Sequence, residues 1–115
     1  MAGFRVLKDV YDNQAIKHAI INATGSGDTQ IVAGVSGKKI LVLGYLFVSA
    51  LAVAVQFKSN GGNLLSGNIA AGANQSVSYA GGIWAPAFET ALDEGFKITL
   101  SLGVSVQGHV TYLEV

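Results

Sequence analysis

The sequence predicts an all-β fold, a single-domain β-sandwich of jelly-roll-like type with a short N-terminal arm. Three observations predict it. Short runs rich in Val, Ile, Leu, Tyr and Phe recur along the chain, Gly- and Ser-containing turn signals separate them roughly every eight to twelve residues, and no segment sustains a helical apolar period. With 115 residues there is enough chain for one core, burying roughly two thirds of the unfolded surface. Residues 1–15 are more charged than the rest and read as an arm, and residues 16–115 read as the sandwich domain.

The elements follow in chain order. Tyr11 to Ile21 has room for one helical turn but is too short and too poorly capped to change the class. Ala19 to Ala23 and Thr29 to Val35 read as strands around the turn at Gly25 to Asp28, and a Ser36-Gly37 turn precedes the Lys38-Lys39 pair. Ile40 to Val55 is almost continuously apolar. As a helix its 16 residues would reach about 24 Å, short of the roughly 30 Å hydrocarbon core of a membrane. Its β-branched and aromatic content instead suggests two strands with a weak break at Ser49-Ala50, forming a hairpin. In the second arm, Leu51, Val53, Val55 and Phe57 share the core face and Ala52, Ala54, Gln56 and Lys58 the other. The first arm is apolar on both faces, with Ile40, Val42, Leu46 and Val48 opposite Leu41, Leu43, Tyr45 and Phe47, so both faces should be covered. A partner subunit or a neighbouring loop would supply the second cover. Loops dominate from Ser59 to Thr90 apart from the strand-like SVSYA at Ser76 to Ala80, and Phe96 to Leu102 and Val104 to Val115 close the chain as strands.

Composition narrows the function. Charged residues make up 12% of the chain, about half the usual share, and seven Lys and Arg balance seven Asp and Glu. Such a surface has no field to draw in nucleic acid or an anionic membrane, so neither is expected as a partner. Without cysteine there is neither a disulfide framework nor a thiolate site, and the opening MAGFRVLKDVYDNQ lacks the apolar run of a secretory signal, which points to synthesis in the cytoplasm.

The sequence offers no recognisable catalytic or metal-binding spacing. His18 and His109 are the only imidazoles, and His109 shares a strand face with Thr111 and Leu113, where a histidine is ordinarily packed or solvated. Asp93-Glu94-Gly95 reads as a solvated acidic turn. The 15 glycines fit neither phosphate-loop pattern and serve turns. Asn22-Ala23-Thr24 and Asn74-Gln75-Ser76 match the glycosylation acceptor by chance. Tyr79, Trp84 and Phe88 around Gly81-Gly82 either pack in the core or make a shelf on which a sugar ring could stack. No enzyme activity and no cofactor are expected.

Four stretches taken together, TQIVAGVSGKKILVLGYLFVSA at Thr29 to Ala50, AVAVQFKSNGGNLLSG ending at Gly67, GGIWAPAFET, and ALDEGFKITLSLGVSVQGHVTYLEV to the C-terminus, resemble the head decoration, or capsid cement, proteins of tailed bacteriophages. The resemblance lies in V-S-G-K-x-I-x-V-L, the closing G-x-x-x-x-L strand and the terminal G-H-x-T-Y-x-E-V, which are architectural marks. It implies a virion protein of β-sandwich or jelly-roll fold, made in the host cytoplasm and seated as a homotrimer on the outer surface of the capsid. Its partner would be the major capsid protein, with no cofactor. A trimer that binds the assembled lattice and not its separated parts would stabilise the shell by linkage and avidity. Phe4, Arg5, Val6, Lys8 and Tyr11 form an apolar and basic strip in the arm and are the expected capsid or subunit contacts. The alternative is a carbohydrate- or receptor-binding module of a phage fibre or tail, with Tyr79 and Trp84 as stacking groups.

Overall fold

A computed structural model describes residues 16–115, which form nine strands and no helix. These are β1 (Lys17–Ala23), β2 (Gly27–Val32), β3 (Ile40–Ser49), β4 (Val53–Ser59), β5 (Ile69–Ala71), β6 (Ser76–Ala80), β7 (Phe88–Glu89), β8 (Phe96–Leu100) and β9 (Val106–Glu114). They pair antiparallel in two sheets: sheet A in the order β1-β9-β3-β6 with β7 also on β3, and sheet B in the order β2-β8-β4-β5. The protein is a small all-β domain, and this strand order is consistent with a jelly roll.

One apolar core fills the space between the sheets. Ile21, Ile40, Val42, Phe47, Val106 and Val110 face it from sheet A, and Val53, Val55, Phe57, Phe96, Ile98 and Leu100 from sheet B. In β4 and β8 the buried and partly buried positions alternate strictly, as strands with one face inward should. Phe57 lies at the centre of the aromatic packing, with ring centroids 4.9 Å from Tyr45, 5.9 Å from Phe47, 5.3 Å from Phe88 and 5.2 Å from Phe96.

Three expectations about the apolar segment need correction. Ile40 to Val55 is not a hairpin: β3 pairs with β9, β6 and β7 in sheet A, whereas β4 pairs with β5 and β8 in sheet B. The break after Ser49 carries the chain from one sheet to the other. Leu51 lies in that crossing and is exposed rather than on the core face with Val53. The predicted faces of the first arm also fail, because a bulge interrupts it. Val42 pairs with Tyr112 and Gly44 with Thr111, which leaves Leu43 as an extra residue. Each bulge of this kind exchanges the two faces beyond it. Ile40 and Val42 therefore point inward before it and Phe47 and Ser49 after it, while Leu46 and Val48 stay exposed. Cover on the second face is accordingly incomplete, with Leu43 and Leu113 buried and Leu46 and Val48 open.

At the start of the domain, Lys17 to Ile21 is strand and not a helical turn. At its end, Val115 exchanges backbone hydrogen bonds with Lys39, so the pairing of β9 with the start of β3 extends to the last residue. Gly108 lies where β9 crosses β3, and a Cβ there would collide with the Leu46 carbonyl.

Phe57 joins the two sheets, so Phe57→Ala should lower unfolding free energy by about 3–5 kcal/mol, the usual cost of truncating a buried phenylalanine. Urea denaturation followed by circular dichroism checks this, and a loss under about 1 kcal/mol would show that the aromatic cluster is not central.

Candidate functional site

Strand register arranges the outer face of sheet A into three rows. His18, Thr111, Gly44 and Ala80 make the first, Ile20, His109, Leu46 and Ser78 the second, and Asn22, Gln107, Val48 and Ser76 the third. None of these twelve positions holds Lys, Arg, Asp or Glu, whereas Glu89, opposite Leu41 beyond the first row and paired with Lys39, lies on the same face. All but Gly44 and Thr111 are exposed, including the apolar side chains of Ile20 (77%), Leu46 (36%) and Val48 (40%). Two polar pairs bind the strands across the face: Gln107 Nε2 donates to Asn22 Oδ1 at 2.7 Å, and Thr111 Oγ1 lies 3.2 Å from His18 Nδ1. A groove of about 420 Å³ opens at the end bearing the first row, lined by Ile16, Leu43, Gly44, Ala80, Gly81, Gly82 and Thr111.

Trp84 stands two residues beyond the rim of that groove, in the loop from β6 to β7, and its side chain is three quarters exposed. Core packing is therefore corrected for Trp84. It holds for Phe88, which lies against Phe57 and Phe96. Tyr79 is exposed but engaged: its ring stacks 6.2 Å from Tyr45, and its hydroxyl donates to the Ala85 carbonyl at 2.5 Å. The loop is fixed further by Gly82 N–H to the Leu43 carbonyl and Ala87 N–H to the Val42 carbonyl. Tyr79, in β6, and Trp84, in the loop that follows, thus form no joint shelf, since the Tyr79 hydroxyl is bonded to Ala85 and Trp84 projects into solvent.

The outer face of sheet B is charged. Asp28, Thr99 and Gln56 form one row and Gln30, Lys97 and Lys58 the next. Lys58 and Lys97 are directly opposite each other, a repulsive pair that Asp28 relieves from 3.7 Å and 2.8 Å. The hydrogen bond from Lys97, followed by that from Thr99, holds the Asp28 carboxyl down at about 2.

The acidic turn is not free in solvent. Glu94 Oε1 accepts from Ser59 Oγ and from Gly61 N–H, each at 2.6 Å, and these bonds, Ser59 first, hold its carboxyl below the ordinary range. Asp93, at φ 67°, accepts from Gly37 N–H. Thr90 Oγ1 accepts from Ile40 N–H and donates to the Glu94 carbonyl, both at 2.9 Å. The turn therefore locks β4, β3 and the loop before β8 together. Glu114 and Glu89 are paired with Lys17 and Lys39. Among the described residues no cluster of three His, Asp or Glu could hold a metal, and no helix is long and apolar enough to cross a membrane.

Phe4, Arg5, Val6, Lys8 and Tyr11 lie outside the described residues. Sequence reasoning missed the three rows of sheet A, because their make-up depends on the bulge at Leu43 and on β1, β9, β3 and β6 being neighbours. The available signal was the absence of charge from Ile40 to Val55 and from Ser101 to Leu113. No protein-family model, curated protein or solved structure matches the chain.

The Asp28 carboxyl titrates lower in the fold than its ordinary 3.8, so its stabilisation is present above about pH 4 and is lost as pH falls toward about 2. Its side chain is nearly half exposed, so solvent screening keeps the effect below about 1 kcal/mol. Asp28→Asn should lower the urea midpoint slightly at pH 7, and the difference should shrink as pH falls through about 2. Equal midpoints at pH 7 would show that the Lys58–Asp28–Lys97 group contributes nothing.

Proposed function

We propose that this chain is a structural virion protein, a decoration or cement protein that binds the outer surface of a tailed-phage head as an oligomer and stabilises the shell. The outer face of sheet A supports this best, because Ile20, Leu46 and Val48 are exposed there among polar side chains in rows that hold no Lys, Arg, Asp or Glu, and apolar side chains gathered on one such face mark a contact surface. The resemblance of the Thr29 to Ala50 and Ala91 to Val115 stretches to capsid cement proteins supports it independently. In this reading the partners are the major capsid protein and other copies of the chain, in a homotrimer, and no cofactor takes part. Each oligomer clamps several capsid subunits. Binding only the assembled lattice shifts the assembly equilibrium toward the closed shell, and several modest contacts on one oligomer combine through effective concentration.

Phe4, Arg5, Val6, Lys8 and Tyr11 are the proposed capsid contacts, on the strength of their alternating apolar and basic character. Co-sedimentation with undecorated heads of the parent particle should give saturable binding in regular numbers. Deletion of residues 1–15 should abolish that binding while leaving the circular dichroism spectrum of a β protein; retained binding would remove the arm from the proposal.

Exposure of Trp84 favours a second reading, a carbohydrate- or receptor-binding module of a fibre or tail. An aromatic face open to solvent is what a sugar ring stacks on, although Tyr79 has its hydroxyl bonded to the Ala85 carbonyl. Glycan-array binding abolished by Trp84→Ala would establish this reading over the first, and a silent array would leave the decoration reading ahead.

A further inference from the structure

We infer that the three rows of the outer face of sheet A that carry no Lys, Arg, Asp or Glu, together with the neighbouring Trp84 loop, are the surface through which copies of this chain associate. The inference deepens the proposed function, resting on its oligomeric part and not on capsid binding.

Charge argues for this occupant. The ten charged residues between Ile16 and Val115 all avoid the three rows of sheet A, while Asp28, Lys58 and Lys97 lie on the outer face of sheet B. The three rows offer no Lys or Arg to a phosphate or an acidic peptide, His18 and His109 being their only basic side chains, and no carboxylate to a basic partner. Glu89, on the same face beyond the first row, is already paired with Lys39. Any charged group brought against the rows would be desolvated without compensation. A second copy brings the same rows, free of Lys, Arg, Asp and Glu. Its amides and hydroxyls, those of Asn22, Gln107, Ser76 and Ser78, each donate and accept, so they can be satisfied against their own kind. The balance of seven positive and seven negative side chains removes net repulsion between copies.

Trp84 supplies the anchor. An exposed tryptophan on a restrained loop loses little conformational freedom when buried, and tryptophan is the residue most enriched among those that dominate interfaces. Here the loop is restrained by Tyr79, Leu43 and Val42, and the groove beside it, lined by Leu43, Gly44, Ala80 and Thr111, is a shallow apolar recess. Ile20, Leu46 and Val48 extend the apolar surface across the sheet.

Trp84 is the only tryptophan, so tryptophan fluorescence reports this loop alone. The test is light scattering and tryptophan emission on the full chain from nanomolar to high micromolar concentration, without capsids. The inference expects mass to rise to a fixed multiple of one chain, with emission moving to shorter wavelength over the same range. Leu46→Lys and Ile20→Lys, two separate variants at exposed positions, should remain single chains with long-wavelength emission. Trp84→Ala should weaken association about thirtyfold or more. Gln56→Lys, on the outer face of sheet B, should associate like the wild type.

A wild type that stays a single chain throughout overturns the inference, as does association unchanged in whichever lysine variant retains the β spectrum. Emission that shifts on adding sugar or capsids, with the mass of the free chain still single, overturns it too and identifies another occupant. Capsid co-sedimentation is scored separately. A chain that self-associates through this face yet ignores capsids removes the decoration reading and leaves the interface standing.

Discussion

Phe57 belongs to sheet B, but most of its aromatic neighbours belong to sheet A, and the stacking of the two sheets depends on that crossing. Its ring meets Tyr45, Phe47 and Phe88 across the gap in tilted or edge-on arrangements, while Phe96 stacks beside it within sheet B. Such pairs contribute about 0.5–1.5 kcal/mol each beyond the area they bury. Phe88 reaches the cluster only because the two-residue strand β7 pairs with Leu41 and Val42 of β3. The loop between β6 and β7 is therefore held at both ends by the core. Trp84 is exposed on a segment whose course the aromatic cluster has already set.

The bulge at Leu43 decides which residues the cluster receives. Without it, Tyr45 and Phe47 would continue on the outer face and Leu46 and Val48 would turn inward, giving Phe57 two aliphatic neighbours in place of two rings. The extra residue puts the rings inside, and the same shift leaves Leu46 and Val48 outside. Gly44 immediately after the bulge and Gly108 on the facing strand permit the close approach that follows, since a Cβ at Gly44 would lie 2.7 Å from the Tyr79 carbonyl oxygen. The apolar positions on the outer face of sheet A are thus a geometric consequence of how the core is filled.

The all-β class, the inward face from Val53 to Phe57 and the strand at Ser76 to Ala80 were legible in the sequence, because period-two patterning and turn residues are local signals. The separation of β3 from β4 was not. Two adjacent apolar strands joined by Ala50 to Ala52 look the same in sequence whether they pair with each other or cross between sheets, and the choice is made by β9 and β8 from the far end of the chain. A bulge is equally hidden when every residue around it is apolar, as from Ile40 to Phe47. The acidic turn was misread for a related reason: Ser59 and Gly61, which engage Glu94, are more than thirty residues away. Exposure of Trp84 was not legible because Phe88, not Trp84, is the ring of this segment that packs against Phe57 and Phe96, an order composition alone does not give.

The two outer faces differ in what can replace water on them. On sheet B, Lys58 and Lys97 oppose each other and Asp28 lies beside both, so covering that face would desolvate three charges whose mutual pairing is only partly compensating. On sheet A, covering the three rows removes water from amides, hydroxyls and aliphatic groups, which costs far less and returns apolar burial. Buried side-chain polar atoms in the described part of the domain all have hydrogen-bond partners, and the core between the sheets is continuous, so Ile20, Leu46 and Val48 are not required to complete the fold. Threonine at those positions would also suit the strands and leave a surface suited to water. In the proposed self-association those apolar side chains are the contact surface, and the charges on sheet B keep the other side of the domain in solvent.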